Sequence, residues 1–327
     1  MVTYSITPPT YVTLITTWRC NASCENCCFG CRPHRGKTMS LEKMKEYLDR
    51  CIEAYPDSIA TLSLTGGECM LLGDDLESIV RYGRDKGLNV SMISNGFWGY
   101  EYKNAYERLA RLKNAVLTTI AVSTGEDHQC SVPLRSCRNV VVAAARLGFI
   151  PILRIESHLG VVKCRSRIEN DVPLMRLVNA GRIKLCWQYW EEYSNEKKVG
   201  QGYPWKMSPY GTRKGCESLF HSVIISPYGD VMACAGIPCS RIPYMRLGNI
   251  EKESVKTVYE RGFQDALKVW IHKKGAVAVL DYVHQHSDIR FYNPGYNCNS
   301  CIEIFRNPKI LPFLRKTYWD WRDEIRF

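Results

Sequence analysis

Long apolar runs are missing from this chain: no uncharged apolar stretch reaches the ~18 residues that a membrane-spanning helix needs. The N-terminus, MVTYSITPPTYVTLITTWRC, has no basic segment followed by an apolar core, so the pattern of a secretory signal is missing too. Basic runs of five or six residues are also lacking. The net charge of +11, from 44 Lys+Arg and 33 Asp+Glu, is spread along the chain as on a solvated surface, which argues against a nucleic-acid partner. No internal repeat is visible. With 45% hydrophobic and 24% charged residues over 327 positions, the composition is that of a globular chain large enough for two domains. What the chain has in excess is cysteine, 16 in all. Without a signal sequence, these are expected as reduced thiols in the cytoplasm, where clustered cysteines bind metal or do chemistry.

Short apolar runs alternate with amphipathic stretches. The runs are Tyr11–Thr17, Ile59–Leu64, Val90–Ser94, Leu117–Ser123, Ile150–Ile155 and Ile183–Trp187. Between them lie Ser40–Ala54, Leu76–Lys86, Tyr102–Leu112 and Arg138–Leu147, with Ser40 placed to cap the first helix. Repeated βα units imply a parallel α/β sheet, and six of them make a partial (β/α)6 TIM-like barrel instead of a closed eight-stranded one. The pattern changes at Gly200–Gly215, rich in Gly, Pro, Tyr and Lys, which reads as a linker. Beyond it come a hairpin-like segment, a helical stretch near Lys252–His284 and a last cysteine pair.

The first strand runs into Thr17-Trp18-Arg19-Cys20-Asn21-Ala22-Ser23-Cys24-Glu25-Asn26-Cys27-Cys28-Phe29-Gly30-Cys31, with five cysteines in twelve residues. A loop at the C-terminal end of a parallel strand is where such folds place their sites. Cys20, Cys24 and Cys27 have the spacing Cys-x3-Cys-x2-Cys, which lets one loop hold three corners of a cubane cluster and leaves the fourth iron open. Spacing alone also admits a structural zinc site, which wants a fourth ligand.

The loop resembles the signature of the radical S-adenosylmethionine (SAM) enzymes. Thr65-Gly66-Gly67-Glu68 resembles that family's GGE element, and Ser94-Asn95-Gly96 its ribose-contacting element. The resemblance implies a [4Fe-4S] cluster on Cys20, Cys24 and Cys27, whose open iron binds S-adenosyl-L-methionine. It further implies that Glu68 with nearby backbone at Gly66 and Gly67 holds SAM's ammonium, Ser94 and Asn95 its ribose, and Ser123 and Arg154 its carboxylate. Reduction by an external donor such as a flavodoxin or ferredoxin would then release a 5′-deoxyadenosyl radical. Two departures stand out. Asn26 occupies a position often aromatic in the family, leaving Phe29 or Phe97 to cover the adenine, and Cys24, Cys28 and Cys31 repeat the ligand spacing in a second register.

A second cysteine pattern follows. Cys216, twelve residues, Gly229, four residues and Cys234 resembles the opening of the SPASM and twitch extensions, with a turn at Ser226-Pro227-Tyr228-Gly229-Asp230. With Cys298 and Cys301 this resemblance implies one auxiliary [4Fe-4S] cluster, the rival being a zinc ribbon. The expected layout is a radical SAM domain over 1–205 and a small cysteine-rich, twitch-like α+β domain over 206–327.

Within the superfamily the likeness is to the peptide epimerases that make epipeptides. It rests on Arg19–Cys24, on Cys27-Cys28-Phe29 and on Ile93-Ser94-Asn95-Gly96-Phe97-Trp98-Gly99. Such enzymes take the α-hydrogen from an L-residue of a ribosomally made peptide and return hydrogen from a cysteine. That donor follows the second auxiliary ligand directly; here the position is Ala235, and Cys239 is the nearest replacement. Asp127 and His128, within Glu126-Asp127-His128 after the fourth strand, are candidate substrate contacts. The readings carried forward are a precursor-peptide epimerase, an enzyme that oxidises or cross-links such a peptide, an aminosugar-type epimerase or dehydrogenase, and a non-catalytic metal-binding module.

Overall fold

The computed structural model describes residues 7–24, 27–157, 163–189, 215–236, 239, 242–291 and 297–322. The linker and the boundary expected at 205/206 fall among the others, apart from Gly215, as do Asn26 and the Ile237-Pro238 turn. Two compact units emerge, one of Tyr11–Glu192 with Ile225–Tyr228, the other of Met1–Thr10, Tyr193–Ile224 and Gly229–Phe327.

Among the described residues the first unit holds six parallel strands: β1 (Tyr11–Ile15), β2 (Thr61–Thr65), β3 (Asn89–Ser94), β4 (Thr119–Gly125), β5 (Ile152–Ser157) and β6 (Lys184–Tyr189). They lie side by side in chain order, each paired in parallel with the next. The helices between them are α1 (Leu41–Ala54), α2 (Asp74–Asp85), α3 (Tyr102–Asn114), α4 (Glu126–Gln129), α5 (Leu134–Arg146), α6 (Lys163–Glu169) and α7 (Val172–Asn179). This is the α/β architecture expected from the alternating pattern. Ser40 caps α1 as anticipated, accepting the Lys43 N–H at 3.3 Å.

The period of two along each strand sorts its side chains. Leu62 and Val90 sit under Gly83 of α2, where an added Cβ would come within 2.9 and 3.0 Å of them. On the opposite face Thr13, Ser63, Ser91 and Thr119 stand in register across four strands. Ser123 and Gly125 of β4 pair with Arg154 and Glu156 of β5, which places all four on that same inner face.

Among the described residues the second unit carries β7 (Ser222–Ile225) up to Ile224, β8 (Asp230–Met232) and β9 (Arg246–Asn249), with β8 and β9 antiparallel. Gly229 precedes β8 at φ +78, the left-handed conformation a tight turn asks of glycine. Among the described residues the helices that follow are α8 (Val255–Arg261), α9 (Ala266–Lys274), α10 (Ala276–His286), α11 (Asn297–Arg306), α12 (Ile310–Lys316) and α13 (Tyr318–Trp321). The single helical stretch expected near Lys252–His284 is therefore broken. Asp265 accepts the N–H groups of Leu267 and Lys268 and starts α9, and Gly275 at φ +90 ends it. Trp321 stacks on Trp270 with ring centroids 4.7 Å apart, whereas Trp319 is 66% exposed.

Candidate functional site

The cysteine loop leaves β1 and folds back on itself. Met39 N–H donates to Thr16 O, Trp18 N–H to Lys37 O and Cys20 N–H to Arg32 O, at 2.9, 3.0 and 3.2 Å. Beyond β2 the chain continues the pairing: Gly67 N–H donates to Thr17 O at 2.7 Å and Glu68 N–H to Arg19 O at 3.0 Å. This explains the two glycines without any ligand. A Cβ on Gly67 would stand 1.9 Å from the Arg19 carbonyl oxygen, and Gly66 sits at φ +138 with Thr17 O 2.5 Å from its would-be Cβ. Only a backbone without side chains can lie this close to the first cysteine.

Cys20 is buried, and two N–H donors reach its sulfur, from Ala22 at 3.4 Å and from the Asn95 carboxamide at 3.5 Å. Cys27 Sγ accepts the Cys31 N–H at 3.3 Å, and its thiol, hydrogen-bonded to Cys31, falls to about 6. Burial pushes the thiols of Cys20 and Cys24 up, to about 11 and about 12. Burial also raises Cys28, and the hydrogen bond to Cys27 raises Cys31. Three thiols on one loop, with N–H groups already aimed at two of the sulfurs, fit an iron–sulfur cluster, because such bonds stabilise thiolate charge. Phe29 meets Trp18 edge to face at 5.8 Å.

Glu68 is wholly buried. Its Oε1 accepts the Ser94 hydroxyl at 2.8 Å and the Met70 N–H at 3.0 Å, and its Oε2 accepts the Asn95 N–H at 2.7 Å. Burial raises its pKa in spite of these bonds. Ser94 Oγ also accepts from Trp98 Nε1 at 2.9 Å and Gly96 N–H at 3.0 Å. The side chains expected at SAM's ammonium and ribose thus form a network that ties the end of β3 to the end of β2.

Ser123 and Arg154 face each other across β4 and β5, and Arg154 Nε is buried with no hydrogen-bond partner among the described residues. Two residues further along β5, Glu156 Oε2 lies 2.8 Å from His128 Nδ1. Glu156, absent from the sequence reading, approaches this closely because Gly125 has no Cβ; one placed there would stand 2.7 Å from the Glu156 Cβ. Its signal was its place two residues after Arg154, on the same face of the strand. The charges of Glu156 and Asp127 both raise Cys24, which puts this acidic pair beside the cysteine loop. Glu126 instead accepts the Cys164 N–H at 2.7 Å.

In the second unit Cys216 N–H donates to Ile271 O at 3.0 Å, Cys234 follows β8, and Cys298 and Cys301 lie on the first turns of α11. Burial raises Cys234 and Cys301; the charges of Cys298 and Cys216 add to the rise at Cys234, and those of Cys216, Cys298 and Cys234 to the rise at Cys301. Among the described residues no three metal-binding side chains converge at the spacing of a single ion. Cys239 is fully buried, and its N–H closes a turn on Gly236 O at 3.1 Å.

Residues 14–125 match the family model of the radical SAM superfamily. This chain carries a radical SAM domain. Two proteins of Bacillus subtilis (strain 168) resemble it. YydG, named for peptide biosynthesis, is 28% identical over 147 residues, 44% of each chain. AlbA, named for biosynthesis of the antilisterial bacteriocin subtilosin, is 23% identical over 277 residues, 77% of this chain and 59% of that one. The chain thus spans about half the length of these relatives. Two solved structures share its fold. The anSMEcpe enzyme with bound AdoMet has a TM-score of 0.54 at 14% identity, covering 97% of this chain and 100% of that one. Streptococcus suis SuiB has a TM-score of 0.54 at 13% identity, covering 88% and 77%. The radical SAM family works with S-adenosylmethionine and a [4Fe-4S] cluster. Among the described residues no helix is long and apolar enough to cross a membrane.

Proposed function

We propose that this chain is a radical SAM enzyme that epimerises an L-residue of a ribosomally made precursor peptide. The observation that carries the radical SAM assignment is the cysteine loop locked against the Gly66-Gly67 backbone with N–H donors on its sulfurs. The peptide class is supported by the two relatives, whose names attach them to peptide and bacteriocin biosynthesis.

When bound, SAM and a reduced cluster on Cys20, Cys24 and Cys27 supply a carbon-centred radical able to take hydrogen from an unactivated carbon. Ser123 and Arg154 would receive SAM's carboxylate, Arg154 through a guanidinium not yet satisfied by the protein. Asp127 and His128 would hold the peptide at the ends of β4 and β5. Cys216, Cys234, Cys298 and Cys301 would hold the auxiliary cluster; the charges of Cys216, Cys298 and Cys234 acting on the buried Cys301 support that grouping. Cys239 would give a hydrogen atom to the substrate radical. One electron from a flavodoxin or ferredoxin, with one proton, would then restore the thiol.

The second reading, oxidation or cross-linking through a thioether or C–C bond, is favoured by Ala235 standing where the donor cysteine belongs. Turnover in deuterated water separates the two, since a thiol exchanges with solvent and a carbon-bound hydrogen does not. Epimerisation places one deuterium on the product carbon with no change of oxidation state. Cys239→Ala should still form 5′-deoxyadenosine and then stall or divert to oxidised product. A wild-type product two mass units lighter and free of deuterium establishes the oxidising reading instead.

A further inference from the structure

We propose that the exposed side of the cysteine loop, carrying Arg19, Arg32, Arg35 and Lys37, is the docking surface for an acidic protein that delivers one electron to the cluster. The proposal rests on Cys20, Cys24 and Cys27 as the ligands of that cluster.

The four cations are scattered in sequence, and the folding of the loop gathers them. Arg19 and Arg32 meet in an isolated parallel bridge, and Lys37 O accepts the Trp18 N–H at 3.0 Å. All four residues are exposed. The guanidinium of Arg32 donates to Ser23 O at 3.4 Å and that of Arg35 to Gly30 O at 3.1 Å, carbonyls that directly precede Cys24 and Cys31. Both charges therefore rest on the cysteine loop itself. Lys37 Nζ stands 5.8 Å from the ring centre of Tyr228, which is 51% exposed.

Like charges side by side across a bridge repel, and none of the four forms an ion pair among the described residues. Other exposed cations of this unit are paired, Lys86 with Asp49 and Arg111 with Asp74 and Glu77. The loop thus keeps a positive potential that draws and orients an acidic partner. Position decides which partner. An electron arriving here crosses only the loop that carries the ligands, whereas a substrate must reach the inner face of the sheet, where Ser123, Arg154 and Glu156 stand. Electron carriers dock through small, transient contacts whose encounter rate is set by charge, and exposed cations beside an exposed ring suit them. In the step itself the carrier loses one electron and the cluster gains it; no bond forms or breaks.

The test uses the anaerobically reconstituted full chain with a reduced bacterial flavodoxin, an acidic carrier, and follows association and cluster bleaching by stopped flow. Raising ionic strength from about 10 to about 100 mM shortens the Debye length from about 30 to about 10 Å and should slow wild-type association about tenfold. The triple variant Arg32→Gln, Arg35→Gln, Lys37→Gln, which leaves Arg19 beside its ligand untouched, should keep its iron. It should associate about tenfold more slowly at low salt and lose most of the salt dependence. The methyl viologen radical, a small cation, should reduce that variant at least as fast as wild type. Arg32→Lys with Arg35→Lys keeps the charge without the guanidinium fork and should associate like wild type. The proposal is overturned if the Gln variant associates at the wild-type rate. It is overturned equally if the Lys variant is as slow as the Gln variant, or if methyl viologen slows to the same extent, since the side chains would then be props of the loop. Flavodoxin unaffected while a glutamate-rich synthetic peptide loses binding would assign the surface to an acidic peptide and overturn the proposal too. Replacing Cys20, Cys24 and Cys27 by Ala should leave flavodoxin association and its salt dependence as in wild type. If that variant keeps all its iron, the ligand assignment fails and the electron route with it, an outcome that the separately measured association rates distinguish from failure of the docking surface.

Discussion

The imidazole Nδ1 of His128, on α4, stands 2.8 Å from Oε2 of Glu156, on β5. Burial disfavours a charged ring there, but the charge and hydrogen bond of Glu156, with Cys27 and Asp127 adding, lift the His128 pKa above the ordinary value. The sign follows from linkage. A group raised on folding adds stability that is full below its unfolded pKa, about 6.5, and is lost as pH climbs through the higher folded one. Histidine NMR of the folded chain should show His128 titrating above that value. Glu156→Gln, which keeps an acceptor and removes the charge, should bring the midpoint down. A wild-type midpoint at or below the ordinary value contradicts the pair.

Gly67→Ala should destabilise the chain by about 2–3 kcal/mol or more, because the new methyl meets backbone, which cannot swing away as a side chain would. The contact at issue is the Arg19 carbonyl, 1.9 Å from the added carbon. Denaturant melts of cluster-free protein measure the loss. An unchanged midpoint means the pairing of the loop with the Gly-Gly backbone is not held in solution.

Iron content separates the two cysteine sets. Anaerobic reconstitution should give about eight irons per chain, four on each cluster. Replacing Cys20, Cys24 and Cys27 together by Ala should leave about half the iron and abolish 5′-deoxyadenosine. Retained SAM cleavage in that variant would overturn the assignment of Cys20, Cys24 and Cys27 as the SAM-cluster ligands.

The two tryptophans near the terminus should behave oppositely. Trp321 is buried, stacks on Trp270 and donates its Nε1–H to Leu314 O at 2.8 Å, so Trp321→Ala should cost about 3–5 kcal/mol. Trp319 is exposed, and Trp319→Ala should stay within about 0.5 kcal/mol of wild type. Paired thermal melts decide it; equal losses would mean that the exposed contacts of Trp319 with Arg322 and Tyr318 hold as much stability as the buried stack.

The site was partly legible in one dimension. Cys20, Cys24 and Cys27 are separated by steps that a single loop can close, so their grouping needs no tertiary knowledge. The pairing of Glu156 with His128 had no such signal. The two lie 28 residues apart, and what joins them is the pairing of β5 with β4 and the missing Cβ of Gly125. Glu68 and Ser94 were visible as motif members, but not their occupations, since a hydrogen-bond partner 26 residues away cannot be read from local spacing.

Sequence alone determined the alternation of strand and helix, because periods of two and 3.6 are written locally, and with it the parallel α/β class. It also determined which thiols could share a metal through one short loop. Only the tertiary structure decided which face each strand turns inward, and hence that Ser123, Arg154 and Glu156 share a surface. It decided, too, that the Gly66-Gly67 pair serves a backbone approach and that Glu68 accepts hydrogen bonds from Ser94 and Asn95. The physical reason is the same throughout: a hydrogen bond or a close approach between strand ends depends on register, and register is a property of the assembled sheet.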